Sequence, residues 1–247
     1  MAGHSKFKNI MHRKGAQDAK RAKVFTRLGK ELSVAVKAGV DPDGNPRLRS
    51  AIAACRAANM PKDNIEKVLK KAETSDGNEY SEIRYEGFGA NGTALIVETL
   101  TDNKNRTASE VRSAFTKFNG NLGENGSVTY LFENIGQLIF SSSVADEEGI
   151  LEVAIEFGAE DIISNEFSHE IITSIDSFNE IRESLSEKYG DPQEAGLVWK
   201  PKSIIDISET NASTLLKLLN ALDDCEDVQN VFTNFEIPDD IINNLNE

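Results

Sequence analysis

The sequence predicts an α+β protein: an N-terminal three-helix domain followed by two α/β sandwich-like domains, one inserted into the other. Three observations predict it. Apolar residues recur at helical spacing through residues 16–72. From Ile83 onward, strand-like segments alternate with helical ones. The charge also changes sign: residues 1–72 hold 17 Lys+Arg against 6 Asp+Glu, whereas the rest of the chain holds 10 against 35. Such asymmetry marks modules with different electrostatic roles, which the net charge of −14 conceals.

In the first helix Phe25, Leu28, Leu32 and Val36 form one face, and Gly39 and Pro42 end it. Asn45 as N-cap and Pro46 in the first turn open the second helix, with Leu48, Ile52 and Cys55 as its apolar stripe. Pro61 breaks it, and Ile65, Val68 and Leu69 mark the third. The polar run ETSDGNEYS at 73–81 reads as a linker. IRYEGF and TALIVETL flank a Gly/Asn-rich turn and predict a β-hairpin. Thr107 and Glu110 have capping-box spacing and open a helix carrying Val111, Phe115 and Phe118, which ends near Asn119-Gly120. SVTYLF and QLIFS read as strands. A helix from Asp146 to Phe157 closes at Gly158, EIITS is a strand, Ser177 and Glu180 cap a helix ending at Tyr189-Gly190, and GLVWK is a strand. After Pro201 follow the strand SIIDIS, a helix carrying Leu215, Leu216, Leu219 and Leu222, and a last strand VFTNFEI. The expected domains are residues 1–79, residues 80–135 with 204–247, and the inserted residues 136–203.

Composition excludes several function classes. A hydrophobic fraction of 39% suits packed cores rather than disorder. No stretch approaches the roughly 18 apolar residues that span a bilayer, so no membrane partner is expected. MAGHSKFKNIMHRKG has no apolar core and is no secretory signal, which points to a cytoplasmic location. Cys55 and Cys225 read as reduced packing residues, and no His/Cys cluster has metal-ligand spacing. Gly87, Gly89 and Gly92 spell G-x-G-x-x-G, but the strand TALIVETL follows where a dinucleotide site needs a helix N-terminus; the glycines read as a turn that needs positive φ. His4, His12 and Cys55 fix no site, and His169 reads as a plain surface residue. The expectation is therefore no enzyme, no cofactor, no metal and no small-molecule substrate.

The basic N-terminus carries the functional signal. Lys20, Lys23, Arg27 and Lys30, spaced 3, 4 and 3, share one side of the first helix. Arg49 and Arg56 project together from the second. Lys6, Lys8, His12, Arg13 and Lys14 lie in an arm ahead of the helices. A charge run is commonly just a solvated face, but a surplus this concentrated matches the footprint of a surface that neutralises phosphates. Phe7 either stacks on a base or docks on the bundle. The acidic remainder, at −25, is expected to repel nucleic acid and turn the basic end toward it.

AGHSKFKNIMHRKGAQDAKRAKVFTRL, NPRLRSAIAACRAANMPKDNIEKVLKKA and YEGFGANGTALIVETLTDNKNRTASEVRSAFTKFNGNLG closely resemble the YebC/PmpR family. The resemblance runs over essentially the whole chain. It departs at Phe7, where the family commonly has Trp, and at Leu28-Gly29, where it commonly has Leu-Ile. The resemblance implies a three-domain architecture and a DNA-binding transcriptional regulator. It also includes ribosome-associated translation factors that act at proline-rich stretches, and a mitochondrial translational activator. The expected partner is accordingly nucleic acid, DNA or rRNA, with the ribosome as the alternative setting.

Overall fold

The computed structural model describes residues 17–73 and 79–236. Among these, residues 31–73 with 134–199 form one compact unit, and residues 17–30, 79–133 and 200–236 form another.

Helix α1 (Gln17–Ala35) belongs to the second unit up to Lys30 and to the first from Glu31; it tightens into a 3₁₀ turn at Val36–Ala38 and stops as Gly39 takes φ +148°. Asn45 stays extended and caps helix α2 (Pro46–Ala57): its Oδ1 accepts from Leu48 N at 3.1 Å. Its Nδ2 donates to Ala35 O (2.7 Å) and Gly39 O (2.8 Å). One side chain thus satisfies donors at the start of α2 and carbonyls at the end of α1. Helix α3 (Lys62–Glu73) follows, and Leu32, Leu48, Ala51, Cys55 and Ile65 are buried.

The same unit holds a four-stranded sheet in the order β5-β6-β4-β7, from β4 (Phe132–Ser141), β5 (Asp161–Ser164), β6 (Ser168–Thr173) and β7 (Glu194–Pro201). Helices α5 (Glu147–Glu156) and α6 (Phe178–Tyr189) close its core: Leu138, Phe140 and Ile171 meet Ile150, Val153, Phe178, Ile181 and Leu185. β5 is absent from the sequence reading because its four residues are too short to show a period. His169 is not a surface residue. It is 3% exposed, with Nδ1 2.8 Å from Ser164 Oγ and Nε2 3.0 Å from Ala145 O, so its ring ties β6 to β5 and to the approach of α5. Gly136 lies in β4 where a Cβ would come within 2.6 Å of Phe178 Cδ2 and collide with the Thr173 hydroxyl. Gly136→Val is expected to lower the unfolding free energy by about 1–3 kcal/mol, read as a lower urea midpoint.

In the second unit, β1 (Ser81–Phe88) and β2 (Ala94–Thr101) form the expected hairpin, in register from Ser81↔Thr101 to Phe88↔Ala94. With β3 (Asn121–Leu122) and β9 (Val228–Thr233) they make a sheet ordered β3-β1-β2-β9. The segment after the second sheet therefore completes the first, which is the expected α+β class with one part inserted into another. Helices α4 (Lys104–Lys117) and α7 (Glu209–Asp224) cover the sheet, burying Val111, Phe115, Leu215, Leu218, Leu219 and Leu222 on Leu95, Val97 and Val228.

Local expectations differ here at four places. Asn103, not Thr107, caps α4, accepting from Arg106 N at 3.1 Å. SVTYLF is mostly not strand. The buried Glu86 carboxylate accepts from Val128 N (2.9 Å), Thr129 N (3.0 Å) and Thr129 Oγ1 (2.5 Å), holding a 3₁₀ turn at Thr129–Leu131 before β4 begins. VFTNFEI is broken at Asn234, whose Oδ1 accepts from Ala94 N at 2.7 Å. β9 ends before it, and β10 (Phe235–Glu236) pairs in parallel with β8 (Ile205–Asp206). Of the three glycines of the G-x-G-x-x-G run, Gly92 has positive φ (+71°), whereas Gly87 is required by crowding: a Cβ there would lie 2.6 Å from Phe115 Cε1 and 2.7 Å from Asn121 O.

Candidate nucleic-acid interface

α1 places Lys23, Arg27 and Lys30 at i, i+4 and i+7, one above the other on a single face. That face is occupied. Lys23 Nζ pairs with Asp224. Arg27 donates to Asp223 Oδ1 (2.8 Å) and to Asp223 O (2.6 Å). Lys30 Nζ donates to Asp227 Oδ1 (2.6 Å) and Glu226 O (2.9 Å), and lies 6.0 Å from the Tyr80 ring centre. The acceptors come from the end of α7 and the turn into β9.

The three pairs are unequal. Asp227 and Lys30 have side chains only 2% and 10% exposed, whereas those of Asp223 and Asp224 are 38% and 74% exposed. Asp227 also accepts from Thr107 Oγ1 (2.7 Å), Arg106 Nη2 (2.7 Å) and Thr101 Oγ1 (3.0 Å). Burial alone would push its carboxyl up; donation from Lys30, Arg106 and Thr107 outweighs this and holds it at about 2. Beside the outer pairs lies a cleft of about 280 Å³ lined by Ala22, Lys23, Thr26, Arg27 and Glu226.

α2 lies in the other unit. Arg49 pairs with Glu183 of α6 at 2.5 Å, and Arg56 is exposed. Next to Arg49, Arg182 is 6% exposed and reaches Ser50 Oγ; burial, then the Arg49 charge, lowers its pKa. Lys20 lies in α1. Its side chain, together with Lys6, Phe7, Lys8, His12, Arg13 and Lys14, falls outside the described residues. Cys55 and Cys225 are free thiols, both pushed up to about 11 by burial, which disfavours the nucleophilic thiolate.

Part of the acidic remainder is turned onto the protein's own basic face, at Asp223–Asp227. Three carboxylates in five positions, those of Asp223, Asp224 and Asp227, meet the helix directly, and Glu226 between them meets it through its backbone carbonyl. Their signal was visible as a dense acidic run after a leucine-rich helix, but summing charge over the whole remainder hid it.

Two family models match the chain: the TACO1/YebC protein N-terminal domain over residues 5–75, and the TACO1/YebC second and third domain over residues 80–235. Among solved structures, the chain is similar to a conserved hypothetical protein from Aquifex aeolicus, with 44% identity and a TM-score of 0.82 over 93% of this chain and 96% of that one.

Proposed function

Because the chain belongs to the TACO1/YebC family, we propose that it is a non-enzymatic, cytoplasmic regulator of gene expression that binds nucleic acid, in the first instance a DNA-binding transcriptional regulator. One observation carries the reading. Residues 1–30 hold nine Lys+Arg against a single Asp, whereas residues 31–72 hold eight against five. The positive surplus therefore sits in residues 1–30 rather than across the whole helical region, and there it would clamp phosphate. Among the described residues no helix is long and apolar enough to cross a membrane.

A second reading, an RNA-binding translation factor working on the ribosome, is favoured by the four cations Lys6, Lys8, Arg13 and Lys14 that precede the helix bearing the carboxylate-paired Lys23, Arg27 and Lys30. A basic segment whose contacts go to backbone phosphates suits irregular RNA, where shape and phosphate dominate recognition.

The test is a salt titration of binding to a labelled DNA duplex and a labelled RNA hairpin. Affinity should fall with a log–log slope of about −0.9 per phosphate for duplex DNA and about −0.7 for single strands. Replacing Lys6, Lys8, Arg13 and Lys14 with Ala should flatten that slope by about 3. A salt-insensitive affinity sinks the proposal. Sedimentation of lysate then separates the readings: co-migration with ribosomal subunits selects the second, and a promoter footprint without it selects the first.

A further inference from the structure

We propose that the segment Asp223–Asp227 is a built-in phosphate mimic that competes with nucleic acid for Lys23 and Arg27. The inference rests on the nucleic-acid reading above and adds a regulatory contact to it.

The segment has an anchor and a free end. Asp227 is fixed by four side chains, Lys30, Thr101, Thr107 and Arg106, in a buried site. That anchor fixes where Asp223 and Asp224 lie, yet those two carboxylates remain exposed to solvent and touch the outer cations of α1. A phosphodiester approaching the same face would meet Lys23 and Arg27 in the same way, through charge-assisted bonds to anionic oxygens. Asp223 does not satisfy the whole Arg27 guanidinium: its Nε is buried and makes no hydrogen bond among the described residues. The neighbouring cleft, lined by Lys23, Thr26 and Arg27, gives an incoming phosphate room to start displacement before the carboxylates have left.

Energetics favour exchange at the outer pairs alone. Exposed ion pairs are weak and are screened by salt, whereas a polyanion gains from counterion release when it takes their place. The Lys30–Asp227 pair, being buried, stays in place as the hinge on which the segment rests. The carboxylates thus lower the affinity of α1 for isolated phosphates and yield to a ligand that presents several at once.

The experiment uses the full chain and a fluorescein-labelled RNA hairpin, with a DNA duplex of similar length run in parallel. Asp223→Asn with Asp224→Asn should bind about 3- to 30-fold tighter at low salt, from one exposed and one half-buried pair. The salt slope should steepen by about 1.5 as two cations become available. Glu124→Gln with Glu133→Gln removes the same charge from exposed positions of the same unit and should change affinity less than about twofold. Adding Lys23→Ala and Arg27→Ala to the Asn variant should abolish its gain.

Equal tightening in the Glu124/Glu133 control overturns the inference, since bulk charge would then explain the gain. An Asn variant that binds like the parent, while Lys23→Ala with Arg27→Ala weakens binding, also overturns it but leaves the nucleic-acid reading intact. If neither probe binds the parent or any variant, the reading itself fails.

Discussion

Asp227→Ala is expected to lower the unfolding free energy by about 3–5 kcal/mol, the range for stripping one partner from a buried ion pair. The reason lies less in the bonds lost than in the charge left behind. Lys30 has a side chain 10% exposed, and without Asp227 its ammonium keeps, among the described residues, the Glu226 carbonyl and the face of the Tyr80 ring. The Thr101 and Thr107 hydroxyls lose their anionic acceptor but still bond each other at 2.7 Å. Arg106 is 46% exposed and retains Asp102 at 2.9 Å, so its loss is small. Urea denaturation followed by circular dichroism measures the midpoint. Adding Lys30→Met to the Ala variant should recover part of the loss, because a buried ion pair is replaced by apolar groups at little cost. A double variant less stable than Asp227→Ala alone would show that packing, not the orphaned cation, sets the penalty.

Residues whose structural role is decided within a few positions were legible in the sequence. Asn45 and Pro46 open α2, and Gly158 and Gly190 close α5 and α6 with positive φ (+87° and +79°). The pairing of β1 with β2 follows from two alternating runs around a Gly/Asn turn. The misread places are those where a distant side chain overrides a local preference. Thr107 has a cap's spacing, but its hydroxyl is taken by Asp227, 120 positions away, and Asn103 caps instead. SVTYLF is rich in strand formers, but Glu86 holds its backbone donors in a turn. His169 sits among polar neighbours, and only the folded sheet shows its ring enclosed between Ser164 and Ala145. The candidate site divides in the same way. Periodicity put Lys23, Arg27 and Lys30 on one face, but no spacing rule joins Arg27 to Asp223 across 196 positions. The basic surplus and the family resemblance could therefore be read in advance, while the state of those cations required the fold.

Lowering the pH from 5 to 2 is expected to remove roughly 5 kcal/mol of stability through two carboxylates, Glu86 and Asp227. Both are held at about 2 in the folded chain. For Glu86, burial pushes the carboxyl up, but the Thr129 hydroxyl and the backbone N–H groups of Gly126, Val128 and Thr129 more than reverse this. In the unfolded chain the same groups titrate near their ordinary values of about 4. The unfolded state therefore takes up protons first as pH falls. The stabilisation is complete above about pH 5, is drawn down between about 4 and 2, and is gone once the folded carboxylates protonate as well. Urea midpoints measured from pH 6 down to pH 2 should follow that window. Glu86→Gln is expected to be less stable than the parent at pH 7 by about 2–3 kcal/mol, since its amide can accept through only one oxygen where the carboxylate uses two. Its stability should then fall less steeply with acid, because one of the two titrating groups has been removed. Parallel curves for Glu86→Gln and the parent would mean that the hydrogen bonds to the turn at 126–129 do not hold this carboxyl in its charged form.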